Sequence, residues 1–316
     1  MKPVGGYLPF EFNVAASLLC PQAFPVNLGR TGLDLIIRQR QYRRIWLPAY
    51  ICISVFNTLD KIGVEYETYA LDENLEPAGD FGLSDDEALL YVDYFGVKDR
   101  AVERLAGKHK NFIADLTQAF FYQPPAGVDG FNSARKFIGV PDGGFLFADF
   151  SSELDLARQE VYGNCQHLLM RAENLTELGY PFFCANDTAM NDWSPKRISL
   201  ISEKILRSIS LEAIAEKRRR NFRFLAGHFG DRNELKFEMD VTTDTPLCYP
   251  LLIEDGCKWQ KRLIEKKIFV PTYWPKLDSF LKKYPWEQRL VKDLICLPVD
   301  QNCDLSDMER ILSVFK

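Results

Sequence analysis

The chain has 316 residues, of which 47% are hydrophobic, and a net charge of −5. A chain of this length can bury a large core and is expected to divide into two domains. Its negative charge argues against nucleic acid as a main partner, because neutralising phosphates requires a basic surface. The one basic run, residues 217–220, is interpreted as the solvated face of a helix, with a patch for an anionic substrate or subunit contact as the alternative.

The eight cysteines form no C-x-x-C pair, and only three histidines are present, so we expect no metal site. Cys248 and Cys296 lie in apolar runs, which predicts buried reduced thiols and suits a cytoplasmic protein. The N-terminal stretch is interrupted by Pro3, Pro9 and polar residues and is a poor signal peptide. No apolar run approaches the ~18 residues of a membrane span, so we expect no membrane partner.

Strand-like and helix-like segments alternate through the first half of the chain. Aliphatic spacing predicts helices over 32–43, 51–62 and 100–108, and short apolar runs predict strands over 44–47, 64–69, 89–92 and 112–114. This alternation is typical of a parallel sheet covered by helices on both faces. Ligands of such sheets gather at the carboxyl ends of the strands, which is where Asp115 falls.

The second half of the chain has a different character. Two apolar segments within 131–150 flank Pro141-Asp142-Gly143-Gly144, which predicts a hairpin-like turn. A long helical pattern over 195–229 would link a large domain, 1–210, to a small C-terminal domain, 211–316. The elements predicted for the small domain are strands over 245–253, 269–272 and 294–297, a helix over 256–266, and a terminal helix over 306–315 with a Ser306/Glu309 capping box.

One acid and one lysine in this frame carry candidate chemistry. Asp115 ends a strand, and Lys136 follows 21 positions later, just before the proline-glycine turn. Pyridoxal phosphate chemistry requires such a pair, because an acid keeps the pyridine nitrogen protonated and a lysine binds the aldehyde and moves the proton. Each residue alone is compatible with an ordinary role, as a strand-end acid and a surface lysine. The Asp115-x-x-Gln118-Ala119 run followed by Lys136 favours the cofactor interpretation.

The order of these residues resembles the DegT/DnrJ/EryC1/StrS sugar aminotransferases, a branch of the fold-type I pyridoxal phosphate enzymes. Supporting similarity comes from 44–50 (RIWLPAY), Asp93-Tyr94-Phe95-Gly96, 267–270 (KIFV) and 294–299 (LICLPV), so it spans most of the chain. The resemblance implies an α/β fold: a three-layer α/β/α large domain with a mostly parallel sheet, plus a small C-terminal α+β domain.

The resemblance also implies roles for further residues. Gln118 would lie near the ring hydroxyl of pyridoxal 5'-phosphate. Arg30, Thr31 and Ser133 are candidate phosphate contacts. Arg30 stands where the family has threonine, Thr31 comes one position later, and Ser133 is three residues before Lys136 where many members have serine five before. The family's stacking aromatic falls at Cys52 here, with Tyr50 as a substitute. Tyr273 and Asn186 are candidate substrate contacts, and core or surface packing is the alternative for Tyr273.

The implied function is transfer of an amino group from an amino acid, by resemblance glutamate, to a nucleotide-linked keto sugar. Such reactions serve cell-surface polysaccharide or secondary-metabolite synthesis, in a cytoplasmic homodimer with shared active sites. A dehydratase is a second hypothesis, but those relatives replace the lysine with histidine, and Lys136 argues against it. A catalytically silent, cofactor-binding partner protein is the third, motivated by the short length and by Cys52 and Ala189.

Overall fold

The computed structural model describes residues 10–14, 20, 22–240, 242–275 and 280–316 of the chain. Most of the N-terminal stretch that we interpret as a poor signal peptide lies outside these ranges. Within them, no helix is both long and apolar enough to cross a bilayer. The same described residues bring together no group of three side chains suited to holding a metal ion.

The large sheet has seven strands. They are β1 (Phe24–Val26), β2 (Arg44–Pro48), β3 (Glu65–Tyr69), β4 (Glu87–Val92), β5 (Phe112–Leu116), β6 (Asp129–Asn132) and β7 (Gly144–Phe147), in the spatial order β1-β7-β6-β5-β4-β2-β3. Strands β2 to β6 are parallel, while β1 and β7 are antiparallel to their neighbours. This mostly parallel sheet confirms the predicted fold class. Every residue of β5 is buried, as expected where both faces of a sheet are covered.

The helices of the first half of the chain are α1 (Gly29–Arg40), α2 (Ile53–Ile62) and α3 (Asp99–Lys108). Each overlaps a predicted helix, with ends within three residues of the prediction. Helix α1 packs closely on β6 because Gly32 lacks a side chain: a Cβ there would lie 2.6 Å from Cβ of Phe131. The N-terminus of α1 is thereby held against the carboxyl end of the sheet.

The second half contains a two-stranded antiparallel sheet of β8 (Cys248–Leu252) and β9 (Leu294–Pro298). The helices from residue 200 onward are α6 (Leu200–Ser208), α7 (Leu211–Phe229), α8 (Gly256–Glu265), α9 (Pro285–Asp293) and α10 (Leu305–Ser313). Cys248 and Cys296 are buried free thiols in these strands. The predicted domain boundary at 210/211 falls between α6 and α7 and stays a prediction.

Three predicted elements are corrected by the structure. Residues 269–272 form no strand. The helical pattern over 195–229 is two helices, because Ser210 caps α7 by accepting a hydrogen bond from the Ala213 amide. The capping box of the terminal helix is two residues earlier than predicted. Asp304 and Asp307 accept each other's amide hydrogen bonds at 3.1 and 3.0 Å, because a carboxylate at each position serves the same function as Ser and Glu.

Two residues of the basic run at 217–220 are buried, although the run is predicted to be a solvated face. Arg218 and Arg219 of α7 are only 2% and 8% exposed. Arg219 forms ion pairs with Glu212 and Glu216 on the same helix. The interpretation as an exposed helix face is therefore wrong for these two residues.

A helical hairpin that the sequence analysis did not predict follows β7 and precedes β8 in the sequence. It consists of α4 (Gln166–Ala172) and α5 (Thr176–Ala189). Helix α5 is apolar around much of its circumference, yet only Gly179 and Asn186 are buried. Its exposed large apolar side chains are Leu178, Tyr180, Phe182 and Phe183.

Candidate active site

Asp115 lies in β5, one residue before the strand ends, and is 3% exposed. Its Oδ1 accepts a hydrogen bond of 2.9 Å from the amide of Thr117. Burial raises the pKa of Asp115, while the positive charge of Lys136 and the hydrogen bonds from Thr117 oppose that rise. The carboxylate is thus held in an apolar site, with its charge stabilised by a few specific partners.

Lys136 ends the short 3₁₀ turn Ala134–Lys136, between β6 and β7. Its Nζ lies 3.1 Å from Thr117 Oγ1, and its side chain is exposed in the single chain. The hydroxyl of Thr117 also bonds to Asp115, so one threonine connects the acid to the lysine. Sequence reasoning missed Thr117, although a hydroxyl residue two positions after a strand-end Asp is a recognisable turn signal.

The proline-glycine turn after Lys136 is fixed by close backbone contacts. Gly143 has a φ of +122°, a value that only glycine adopts readily. Its amide donates to the Asn27 carbonyl at 2.6 Å, and its carbonyl accepts from the Ala134 amide at 2.9 Å. A Cβ on Gly144 would lie 2.3 Å from the Asn132 carbonyl oxygen. These contacts hold the lysine-bearing turn against the sheet.

Asp142 anchors the same turn from the other side. This buried carboxylate accepts hydrogen bonds from the Ser199 amide at 2.8 Å and from the Ser199 and Ser202 hydroxyls at 2.5 Å each. Burial raises the pKa of Asp142, and the bonds from both serines oppose the rise. Asp142 therefore ties the turn after Lys136 to the start of α6.

Gln118 is fully buried three residues after Asp115. Its Oε1 accepts a hydrogen bond of 2.8 Å from the Phe95 amide, which fixes the orientation of the side chain. Its Nε2 is buried without a hydrogen-bond partner among the described residues. A buried amide donor without an acceptor is costly, so this nitrogen is suited to an acceptor oxygen on a ligand.

The N-terminus of α1 lies beside Thr117. Leu28 provides no side-chain cap, and a Cβ on Gly29 would lie 3.0 Å from Cγ2 of Thr117 and 3.1 Å from the Asn132 carbonyl oxygen. A helix N-terminus favours anions through its free amides and its dipole. Thr31, fully buried in the first turn, donates its hydroxyl to Oδ1 of Asn27 at 2.6 Å.

Two arginines accompany this helix end. Arg30 donates to the Met190 carbonyl at 3.3 Å, at the end of α5, and Arg135 pairs with Asp187 at 3.5 Å. Burial lowers the pKa of Arg30, and the positive charge of Arg135 lowers it further, against the opposing effects of Cys52 and Asp187. Because Arg135 is close enough to lower the pKa of Arg30, an anion bound near both guanidinium groups would be stabilised by them. Ser133, half-buried, precedes the turn that carries Arg135 and Lys136.

A cluster of aromatic side chains surrounds Tyr94 and Phe95, next to Gln118. Tyr50 is 1% exposed, with its ring 6.0 Å from that of Tyr94 and 4.5 Å from that of Trp274. Tyr273 is half-buried, and its ring lies 5.9 Å from that of Phe95. The rings of Tyr50 and Tyr273 thus pack on the Tyr94–Phe95 segment, whose amide holds Gln118. Packing is the role that these contacts define for both tyrosines.

Asn186, predicted as a substrate contact, is 3% exposed in α5. It donates to the Pro141 carbonyl at 3.4 Å and accepts from Asn164 at 2.8 Å. It therefore ties the helical hairpin to the turn after Lys136 within one chain. The structure brings Asp115, Gln118, Lys136 and the start of α1 together, and it places Asn186 at the edge of this group.

No protein-family model matches the chain, and no curated protein matches its sequence. Solved structures do resemble it. The sugar aminotransferase CalS13 from Micromonospora echinospora matches with a TM-score of 0.63 at 14% identity, covering 94% of this chain and 87% of that one. The PLP-form of the putative sugar aminotransferase Spr1654 from Streptococcus pneumoniae matches with a TM-score of 0.66 at 14% identity, covering 94% and 88%.

A DegT DnrJ EryC1 StrS aminotransferase from Brucella abortus matches with a TM-score of 0.61 at 15% identity, covering 92% of this chain and 84% of that one. These matches extend over nearly the whole of each chain. At this level of identity they establish that the chain shares the fold of these three proteins. They support the resemblance stated from the sequence and confirm the predicted α/β architecture.

Proposed function

We propose that the chain is a pyridoxal phosphate-dependent aminotransferase that acts on a sugar. The observation that carries the proposal is the link Asp115–Thr117–Lys136, which joins a buried acid to an amine at the carboxyl end of a parallel sheet. The solved structures that share its fold include the PLP-form and the PMP-form of Spr1654. Both the residues and the fold point to the same cofactor.

The residues present fit pyridoxal phosphate. The free Nε2 of Gln118 is a buried donor that suits the ring hydroxyl, and the uncapped start of α1 beside Gly29 suits the phosphate. Arg30 and Arg135 add positive charge at that end, and Ser133 is a hydroxyl candidate there. Thr31 is fully buried and donates its hydroxyl hydrogen to Asn27 instead. We assign Asp115 to the pyridine nitrogen because it is a buried acid connected through Thr117 to Lys136.

Each residue then has a defined task. The cofactor, when bound, supplies an electron sink for the carbon that loses or gains a proton. Asp115 would hold a proton on the ring nitrogen, and its buried setting would strengthen that ion pair. Lys136 Nζ would hold the cofactor through its aldehyde and, when free, would be the group that accepts and returns a proton. The hydroxyl of Thr117, 3.1 Å from Lys136 Nζ, holds the amine on the acid's side of the site.

The proposed substrates are an amino acid donor, by resemblance glutamate, and a keto sugar that is nucleotide-linked. CalS13 is a sugar aminotransferase and Spr1654 a putative one, which supports the sugar as the acceptor class. Biosynthesis of a cell-surface polysaccharide or secondary metabolite, in the cytoplasm, is the setting we propose. A dehydratase is disfavoured because Lys136 is present.

We also propose a homodimer with shared active sites. Lys136 is exposed in the single chain, although an amine that binds a cofactor is better shielded from water. Helix α5, which contacts the site through Asn186, carries exposed Tyr180, Phe182 and Phe183. A helix that is apolar around most of its circumference is usually buried, and a second copy of the chain would bury it.

The test uses purified protein with added pyridoxal phosphate. The wild type is expected to develop the visible absorption band of a lysine-bound cofactor, and Lys136→Ala is expected to lack it. Glutamate should then convert the wild-type spectrum to that of the amine form. Absence of any lysine-dependent band would overturn the proposal. A band that no amino donor converts would favour the alternative, a catalytically silent cofactor-binding partner protein.

A further inference from the structure

A buried arginine of α7 contacts the turn that carries Lys136. Arg218 is 2% exposed, and its guanidinium donates to the carbonyls of Pro246 and Leu247 at 3.2 and 3.1 Å and to the Phe137 carbonyl at 3.4 Å. Its Nε donates to Gln301 Oε1 at 3.0 Å. Phe137 directly follows Lys136, so the arginine reaches the backbone next to the candidate catalytic amine.

Burying the charged guanidinium of Arg218 is unfavourable, because the group loses its hydration. Removing a guanidinium from water costs several kcal/mol unless charge or hydrogen bonds compensate. Burial lowers the pKa of Arg218 to about 10, with the charge of Asp300 as the largest opposing influence. The hydrogen-bond partners described above are neutral oxygens of three separate segments. The cation therefore joins segments rather than neutralising one carboxylate.

The carbonyl of Phe137 accepts hydrogen bonds from two side chains. Gln301 Nε2 donates to it at 2.7 Å, in addition to the bond from Arg218. The Arg218 guanidinium also lies 4.7 Å from the centroid of the Phe137 ring. Gln301 follows β9 and Pro246-Leu247 precede β8, and the end of β9 pairs with the start of β8, so Arg218 joins one end of the two-stranded sheet to this carbonyl.

The same residues connect to the opposite side of the site. The Leu247 amide donates to the Phe95 carbonyl at 2.8 Å, and the Phe95 amide donates to Gln118 Oε1 at 2.8 Å. A continuous hydrogen-bonded path thus runs from the turn of Lys136, through Arg218, to Gln118. A change in Arg218 would disturb both the amine and the amide of the candidate site.

We propose that Arg218 and Gln301 are positioning residues for Lys136, holding the backbone next to the amine in register with Gln118. This inference rests on the proposed function of Lys136. It assigns a purpose to two buried or half-buried side chains that touch neither Lys136 Nζ nor the acid. Their effect acts through the Phe137 carbonyl, and its loss is expected to move the amine relative to Asp115 and Thr117.

The experiment compares Arg218→Met and Gln301→Leu with a matched control. Arg219→Met removes the neighbouring buried guanidinium of the same helix. Arg219 forms no hydrogen bond with Phe137; its partners among the described residues are Glu212, Glu216, the Thr243 carbonyl and the Thr245 hydroxyl. Gln301→Leu is included because it removes only one uncharged donor and keeps the test usable if Arg218→Met folds poorly. Far-ultraviolet circular dichroism and thermal unfolding check the fold of all three.

Two measurements report on Lys136 itself. In cofactor-free protein, the rate at which an imidoester modifies Lys136 is followed by peptide mass spectrometry. In protein loaded with pyridoxal phosphate, the circular dichroism induced in the visible band reports the orientation of the bound ring. The rate at which glutamate converts the loaded protein to the amine form gives a further comparison. Because small displacements of a catalytic group can cost about 10²-fold in rate, we expect this rate to fall about 10- to 100-fold in Arg218→Met and Gln301→Leu.

The proposal predicts that both variants change the labelling rate and the induced signal, while Arg219→Met matches the wild type in both. Unchanged labelling and an unchanged induced signal in folded Gln301→Leu would overturn it, as would equal effects in Arg219→Met. Failure of the proposed function looks different: the wild type itself would then show no lysine-dependent band. The labelling measurement needs no cofactor and separates the two outcomes.

Discussion

Two regions that meet at the candidate site differ sharply in how they are built. The carboxyl edge of the large sheet is packed so closely that a Cβ on Gly144 would lie 2.3 Å from a backbone oxygen. The helical hairpin of α4 and α5 lies beside it and leaves Leu178 and Tyr180 each 63% exposed. The sheet edge is closely packed within one chain, whereas the hairpin leaves large apolar side chains exposed among the residues that the structure describes.

This contrast indicates where the function depends on a single chain and where it does not. Asp115, Gln118 and the turn of Lys136 are positioned by hydrogen bonds within one chain. The hairpin contributes Asn186, Asp187 and the Met190 carbonyl to that edge, while several of its large apolar side chains are exposed. Changes at the edge should therefore cost stability, and changes on the hairpin should alter association instead.

The largest expected effect is that of Gly144→Ala. The added methyl group collides with the Asn132 carbonyl, so we expect the free energy of unfolding to fall by about 3 kcal/mol or more. Chemical denaturation measures this value. Gly163→Ala, near the hairpin, has nothing within 4 Å of the added Cβ and is the control, with no loss of stability expected. Equal losses in both variants would contradict the contrast between the two regions.

A pH-dependent effect comes from Asp93 and Asp99, beside the sheet edge. Burial raises the pKa of both carboxyls, and the charges of Asp93, Asp244 and Glu103 raise that of Asp99 further. The amide of Lys98 donates to Asp93 and opposes the rise. A raised carboxyl pKa gives stability at acidic pH that is lost as the pH rises, because the folded state keeps a proton that the unfolded chain releases.

Asp99→Asn removes one of these titrating groups. We expect the wild type to lose stability relative to the variant as the pH rises above about 4, by up to about 1.4 kcal/mol per pH unit. Urea unfolding at several pH values between acidic and mildly basic conditions measures the difference. A difference between the two proteins that stays constant with pH would show that this carboxyl pair does not hold an extra proton.

Thr117→Val gives a smaller effect at the centre of the site. The substitution removes the hydroxyl that joins Asp115 to Lys136, and we expect a loss of about 1 kcal/mol in the free energy of unfolding. Thr117→Ser keeps the hydroxyl and should restore most of that stability. Thermal unfolding compares the three proteins. If Ser and Val behave alike, the hydroxyl link is not what stabilises this edge.

The smallest effect on folding is expected on the hairpin. Tyr180→Ser and Phe182→Ser replace exposed side chains, so the free energy of unfolding measured at low protein concentration should change by only about 0.5 kcal/mol. Sedimentation velocity should nevertheless show weaker self-association, because the apolar surface of α5 is reduced. Unaltered association in the double variant would argue against α5 as part of a dimer interface.

The sequence predicted the sheet edge better than the hairpin for physical reasons. The strand ending at Asp115 and the glycine turn after Lys136 have local signals: a short apolar run, and glycines that the turn geometry requires. Helix α5 lacks such a signal, because its apolar residues have no single buried face and Pro181 lies inside it. The predicted strand over 269–272 failed because a β-type apolar run forms a strand only where a neighbouring strand is available.

The environment of a side chain was the least predictable property. Arg218 belongs to a run of four basic residues, which usually marks a solvated surface, and only tertiary contacts bury it. The position of Thr117 between the acid and the lysine depends on how two separate segments meet, and a linear pattern does not encode that distance. Asp115 and Lys136 were identifiable because their spacing resembles that of a known family.

The most direct test of the central claim is to locate the cofactor chemically. Protein incubated with pyridoxal phosphate is reduced with borohydride, digested and mapped by mass spectrometry, with Asp115→Asn and Lys136→Ala as parallel samples. The account predicts a stoichiometric adduct on Lys136 in the wild type, a weaker adduct in Asp115→Asn, and none in Lys136→Ala. An adduct spread over surface lysines, or one that persists at full yield without Lys136, would contradict it.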